Sequence, residues 1–120
     1  FYILDCLKIP YRIILLDGSD TGFTSVKTYD IETWLPGKHC FQEVSSCSNT
    51  CDFQSKRMNT KYYTRDKSKA NYVHILNGSG LAIGRMLIAI IENYQDLDGN
   101  VNIPDVLIPY MGITKILLNE

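Results

Sequence analysis

Apolar and polar positions alternate along this chain in short, punctuated runs. Tyr11 to Leu16 is a compact apolar run and predicts a strand. Asp17 to Gly22 is rich in Gly, Ser and Asp and predicts a loop. Thr28 to Leu35 has the β-branched and aromatic content of a strand, closed by Pro36-Gly37. Phe41 to Ser48 predicts another strand, joined to the previous one by a hairpin-like turn. Asp52 to Tyr62 fits a helix, with Asp52 near its start and Lys56, Arg57 and Lys61 toward its end, as the helix dipole favours. Thr64 to Ala70 predicts a charged surface loop. A strand over Tyr72 to Leu76, a polar turn over Asn77 to Gly80 and a nearly all-apolar helix from Leu81 follow. Ile103 to Met111 holds Pro104 and Pro109, so it is expected to be extended or a short capped turn. No internal repeat is present. Sequential strands with short links, then helices, predict an α+β fold: an antiparallel β-sheet with flanking helices.

Arg85 breaks this pattern. A guanidinium in an oily helix is costly unless it is paired or reaches a polar cavity. The turn before the helix offers the Asn77 amide, the Ser79 hydroxyl and backbone N–H groups. The helix aims the positive end of its dipole there, and Arg85 adds a permanent charge that can fork onto phosphate or carboxylate. The arrangement suits a small polar ligand beside a polyanion. The plainer alternative is a strand-to-helix turn with Ser79 as N-cap and a helix buried on most sides.

A second constellation is Phe41-Gln42-Glu43-Val44-Ser45-Ser46-Cys47-Ser48-Asn49. On a strand, Glu43 and Ser45 share one face, and Val44 and Ser46 the other. A strand end or bulge at Ser46 would turn it toward Glu43. A carboxylate plus a hydroxyl can hold Mg²⁺, which keeps several waters and shares itself with substrate phosphates. The alternative is a half-exposed strand with a solvated Glu.

Composition narrows the classes. The 120 residues are room for one domain or part of one, and a start at Phe1 leads us to expect a fragment. The formal net charge of -1 gives no overall basic field to grip nucleic acid. No run approaches the roughly 20 apolar residues of a membrane span, and no signal peptide is evident. Cys6, Cys40, Cys47 and Cys51 have neither secretory context nor finger spacing with His39 and His74, so reduced thiols are expected. Asp96, Asp98, Asn100 and Asn102 imitate a calcium loop, but Leu107 stands where a bidentate Glu is needed, and Asp98-Gly99-Asn100 is better read as a tight turn.

Ordered blocks carry a resemblance. Lys27-Thr28-Tyr29-Asp30-Ile31-Glu32, Trp34-Leu35-Pro36-Gly37, Glu43 to Asn49, Asp52-Phe53-Gln54, Leu76-Asn77-Gly78-Ser79-Gly80-Leu81-Ala82, Gly84-Arg85, Glu92-Asn93-Tyr94-Gln95 and Pro104 to Gly112 closely resemble the seryl-tRNA synthetase family over nearly the whole chain. The resemblance implies residues 1–120 of a class II synthetase catalytic domain, its C-terminal part, with the third signature motif and without the first two or the tRNA-binding arm. It implies a parent ligase that uses ATP and Mg²⁺ to turn L-serine into seryl-adenylate and then loads tRNA(Ser). By resemblance, Arg85 is the catalytic arginine on ATP phosphate. Glu43, Val44, Ser45 and Ser46 belong to the ATP-contacting strand, with Glu43 and Ser46 as ligands of the Mg²⁺ bound with ATP. The resemblance also implies that Asn77 and Ser79 contact the substrate serine.

The sequence also departs from the family. Ile75 stands where the family usually has Thr, Gln42 where many relatives have Arg, and Asn49-Thr50-Cys51 replaces a commoner Asn-Cys pair. With one of three motifs present, the chain alone is expected to be inactive. The resemblance further implies a cytoplasmic, homodimeric parent without membrane association, an organellar copy being the alternative compartment. Alternative functions are a relative that loads an amino acid onto a carrier protein, and a non-catalytic binding module.

Overall fold

The computed structural model describes residues 1–65 and 69–118. In chain order, α1 (Tyr2–Cys6) leads to β1 (Tyr11–Leu15), β2 (Lys27–Leu35) and β3 (Cys40–Asn49). Next come α2 (Phe53–Met58), β4 (Lys61–Tyr63), β5 (Ala70–Tyr72) and β6 (Leu76–Gly78). The chain ends with α3 (Ile83–Tyr94), β7 (Val101–Asn102), a 3-10 turn (Asp105–Leu107), α4 (Ile108–Met111) and β8 (Lys115–Ile116). The main sheet has four strands in the order β1-β2-β3-β6. The link from β2 to β3, residues 36–39, is far too short for a parallel crossover, so the two run antiparallel. β3 and β6 are also antiparallel, with Cys47 opposite Gly78, Ser48 opposite Asn77 and Asn49 opposite Leu76. The fold is thus α+β, an antiparallel sheet with helices. Its residues group into two compact units, Phe1–Arg12, Ile31–Val44 and Leu81–Glu120 in the first, Ile13–Asp30 and Ser45–Gly80 in the second.

The first unit holds the apolar core: Leu4, Leu7, Ile9, Leu35, Val44, Met86 and Ala89 are all buried. α3 presents Met86 and Ala89, three apart, to this core. Its far end is pinned by side chains: Asn93 Nδ2 donates to the Trp34 carbonyl at 2.9 Å, and Tyr94 OH to the Leu7 carbonyl at 2.6 Å. Ile83, Leu87, Ile88 and Ile91 are exposed, so α3 is buried along one stripe and not on most sides.

The second unit is held by small polar residues. Thr50 and Ser55 are fully buried, and each hydroxyl donates to a carbonyl, Thr50 Oγ1 to Ile75 at 3.0 Å and Ser55 Oγ to Asp52 at 3.0 Å. Satisfied hydroxyls tolerate burial where bare ones would not. A separate hairpin pairs β4 with β5, Lys61 opposite Tyr72 and Tyr63 opposite Ala70.

The predicted strands over Tyr11 to Leu16, Thr28 to Leu35 and Phe41 to Ser48 match β1, β2 and β3 within two residues. The predicted helix over Asp52 to Tyr62 is shorter: Asn59 takes the left-handed conformation, φ 54°, and ends α2. Lys61-Tyr62-Tyr63 then runs as a strand. The predicted strand over Tyr72 to Leu76 is split between β5 and β6. Of the predicted loop over Thr64 to Ala70, residues 66–68 lie outside the described residues and Ala70 belongs to β5. The turn at Asp98-Gly99-Asn100 is present, with Gly99 at φ +83°.

Candidate active site

In the first unit, α3 is tied to β3 at its beginning. The Ala82 N–H donates to the Val44 carbonyl at 2.7 Å, and the Ala82 carbonyl accepts from Met86 N–H at 2.9 Å. Ala82 is therefore the N-cap, extended and without a side-chain capping bond. Ser79 is not the cap. Leu81 and Ala82 stay non-helical, so Arg85 is the third residue of α3, in its first turn. A cation there opposes the dipole, at a cost of about 0.3–1 kcal/mol. Glu43 answers it. Arg85 Nη1 donates to the Glu43 carbonyl at 3.0 Å and lies 3.3 Å from Glu43 Oε2. Both side chains remain nearly half exposed, 46% and 41%. The pairing explains how an apolar helix carries a guanidinium, and its exposure leaves both groups open to a ligand.

In the second unit, β6 and the residues after it are stitched to β3. The Ser45 hydroxyl donates to the Ser79 carbonyl at 2.7 Å, and the Ser79 N–H donates to the Ser46 carbonyl at 3.3 Å. A Cβ at Gly78 would stand 2.8 Å from the Ser46 carbonyl oxygen and 2.9 Å from Cys47 Sγ. Only glycine permits this approach. The stitching holds the Asn77 and Ser79 side chains at a cavity of about 690 Å³, which Lys27, Tyr29, Cys47 and Asn49 also line. Asn77 lies in β6, not in the predicted turn.

Of the sequence-predicted residues, the structure brings Arg85 to Glu43, and Asn77 and Ser79 to the Ser45–Asn49 stretch. Val44 and Ser45 are buried, 0% and 3% exposed, and break the strand alternation by being buried in succession. Ser46 lies inside β3 and not at its end. Lys27 and Tyr29 had no predicted role. They are two apart on β2, and the Lys27 ammonium sits 4.8 Å from the Tyr29 ring centre. The signals for them were that spacing on a strand and their place in the Lys27 to Glu32 block that resembles the family. Among the described residues, no group of three or more His, Cys, Asp or Glu could hold a metal ion. All four cysteines are free. No helix of the described residues is long and apolar enough to cross a membrane.

A family model for the tRNA synthetase class II core domain (G, H, P, S and T) matches residues 2–94. The chain belongs to this family. Within the class II synthetases it is similar to the serine--tRNA ligase of Desulforamulus reducens, 57% identical over 117 residues, 97% of this chain and 28% of the relative. The serine--tRNA ligase of Thermosipho africanus is 56% identical over 95% of this chain and 26% of its own length. The chain thus spans little more than a quarter of these relatives. Two solved synthetase structures share its fold. Seryl-tRNA synthetase from Pyrococcus horikoshii complexed with ATP has a TM-score of 0.95 at 42% identity, covering 99% of this chain and 27% of that one. Cytoplasmic serine-tRNA ligase from Naegleria fowleri in complex with AMP has a TM-score of 0.89 at 35% identity, over 99% and 28%.

Proposed function

We propose that this chain is the C-terminal part of the catalytic domain of a serine--tRNA ligase. The observation that carries the reading is the 57% identity to a serine--tRNA ligase over 97% of the chain. The parent protein then joins the serine carboxylate to the α-phosphorus of ATP, releases pyrophosphate, and passes the seryl group to tRNA(Ser). Arg85 supplies the fixed charge for a phosphate: it stands in the first turn of α3, nearly half exposed, with Nη1 on Glu43. Asn77 and Ser79 hydrogen-bond the serine. A pocket that donates to or accepts from a substrate hydroxyl rejects the analogue lacking it far better than an apolar pocket rejects an added one.

Glu43 and Ser46 as ligands of Mg²⁺ bound together with ATP rest on the family resemblance. One exposed carboxylate, Glu43, and one hydroxyl, Ser46, are too few for a resident metal cage, and they suit a cation that keeps water and phosphate ligands. Mg²⁺ bound there supplies charge that offsets the phosphate oxygens. Val44 and Ser45 have buried side chains, so the proposed contact with ATP is made by their backbone. The Val44 carbonyl is already taken by Ala82. A homodimeric, cytoplasmic parent rests on the family resemblance.

The test is amino-acid-dependent exchange of pyrophosphate into ATP by the parent protein. Exchange should require serine. Exchange driven instead by glycine, histidine, proline or threonine, or absent with every amino acid, overturns the reading. The 120-residue chain alone should form no seryl-tRNA.

A further inference from the structure

One polar row of the main sheet has no role so far. On β2, Thr28 is buried, 4% exposed. Its Oγ1 lies 2.8 Å from Ser48 Oγ on β3. Ser48 in turn stands opposite Asn77 on β6. Opposite residues of an antiparallel pair share a face, with Cβ atoms about 4.5–5.5 Å apart. Thr28, Ser48 and Asn77 thus form a row across three neighbouring strands, all within the second unit. Ser48 and Asn77 both border the cavity of about 690 Å³. We propose that Ser48 is a further specificity-determining residue, donating its proton to the hydroxyl of the substrate serine beside Asn77, and that Thr28 is the positioning residue that turns this proton outward. The proposal rests on the serine--tRNA ligase reading.

Burial sets the direction of the hydroxyl pair. A hydroxyl carries one proton and can accept on its lone pairs, so either member could donate. Among the described residues, Ser48 is the one hydrogen-bond partner of the Thr28 hydroxyl. Were Thr28 not to donate to it, a buried O–H would be left without an acceptor, which is costly. Thr28 therefore donates and Ser48 accepts. The Ser48 proton is then free for a second partner. Ser48 is only partly buried, and Asn77 beside it is exposed. Among the described residues, the Asn77 amide is bonded to nothing, so the row ends in groups still open to a ligand. The buried end is anchored by backbone as well: the Thr28 carbonyl accepts from Leu16 N–H at 3.0 Å. A donor fixed in direction distinguishes a substrate hydroxyl from a methyl group, because the analogue without the hydroxyl leaves it unpaired. A hydroxyl pair that merely tied β2 to β3 would support every substrate alike.

The experiment is pyrophosphate exchange by the parent protein, with serine and ATP varied in turn and alanine added as a competitive inhibitor. Thr28→Val keeps the branched shape and removes the hydroxyl. It should raise the KM for serine by about three-fold or more, as loss of one hydrogen bond to substrate does. The KM for ATP and the Ki for alanine should stay below that threshold. Ser48→Ala should behave in the same way. Thr28→Ser, which keeps the donor, should bring the KM for serine back below the threshold. Thr28→Val added to Ser48→Ala should raise it by less than about three-fold again, because Thr28 acts through Ser48. A smaller rise in either single variant overturns the proposal. So does a matching rise for ATP or alanine, which makes the pair a structural tie, and so does a double variant whose effects multiply. In each of these outcomes serine still drives exchange, so the ligase reading stands. Exchange that serine does not drive in the parent removes that reading and the proposal with it. Should Thr28→Val fail to fold, Ser48→Ala and Thr28→Ser decide by the same threshold.

Discussion

At the scale of single residues, Arg85 concentrates the chemistry. Its ion pair with Glu43 is half exposed, and such pairs contribute about 0–1 kcal/mol to stability. Its charge at a phosphate undergoing displacement is a different matter, since removal of one aimed donor to developing charge typically costs about 10²–10³ in rate. Arg85→Ala in the parent protein should therefore depress serine-dependent pyrophosphate exchange by roughly that factor while thermal unfolding moves little. Equal loss of Tm and activity would mean the guanidinium serves packing instead. Arg85 was legible in the sequence because a cation in an apolar run demands a reason. Its partner was not. Glu43 is 42 residues away, and no local pattern links the two. Lys27 and Tyr29 stood in a block that resembles the family, but their place at the cavity was illegible for the same reason: they become its wall only when β6 pairs with β3 and brings Asn77 beside them.

At the scale of elements, β1, β2 and β3 were readable because β-branched and aromatic runs end at strong punctuation, Pro36-Gly37 above all. α2 was read too long because charge placement suggested a helix end near Lys61, whereas the left-handed Asn59 ends it sooner. β7 and β8 are two residues each and leave no periodicity to read. Their corner depends on Asp96, whose carboxylate accepts the N–H groups of Asp98 at 3.0 Å and Asn100 at 2.9 Å and pairs with Lys115 at 2.7 Å. Lys115, first, and then the hydrogen bonds from Asn100 hold the Asp96 carboxyl below the ordinary aspartate range, against partial burial. A depressed folded value stabilises the folded state above the unfolded pKa of about 3.9. That stability is lost as pH falls through the lower folded value. Asp96→Asn should accordingly lower Tm at neutral pH, with the gap to the unmodified chain closing only below about pH 4. A gap that persists unchanged to pH 2 would assign the effect to shape and not to charge.

At the scale of the whole chain, burial and composition part company on α3. Met86 is 5% exposed and Leu87, its neighbour, 56%. Leu87 lines an apolar groove of about 420 Å³ with Ile3, Ile83, Ile90 and Tyr110. Soluble monomers seldom leave wide contiguous apolar surface uncovered. The 120-residue chain should therefore bind a hydrophobic dye and self-associate, and the two residues should separate the causes. Met86→Ala empties a core position and should cost about 2–5 kcal/mol in urea unfolding. Leu87→Gln removes exposed surface, so stability should change by no more than about 0.5 kcal/mol, the range of ordinary surface substitutions. Dye binding and association should fall with Leu87→Gln and not with Met86→Ala. If Leu87→Gln unfolds the chain as readily as Met86→Ala, α3 is packed on both sides in solution and its exposed stripe is not free.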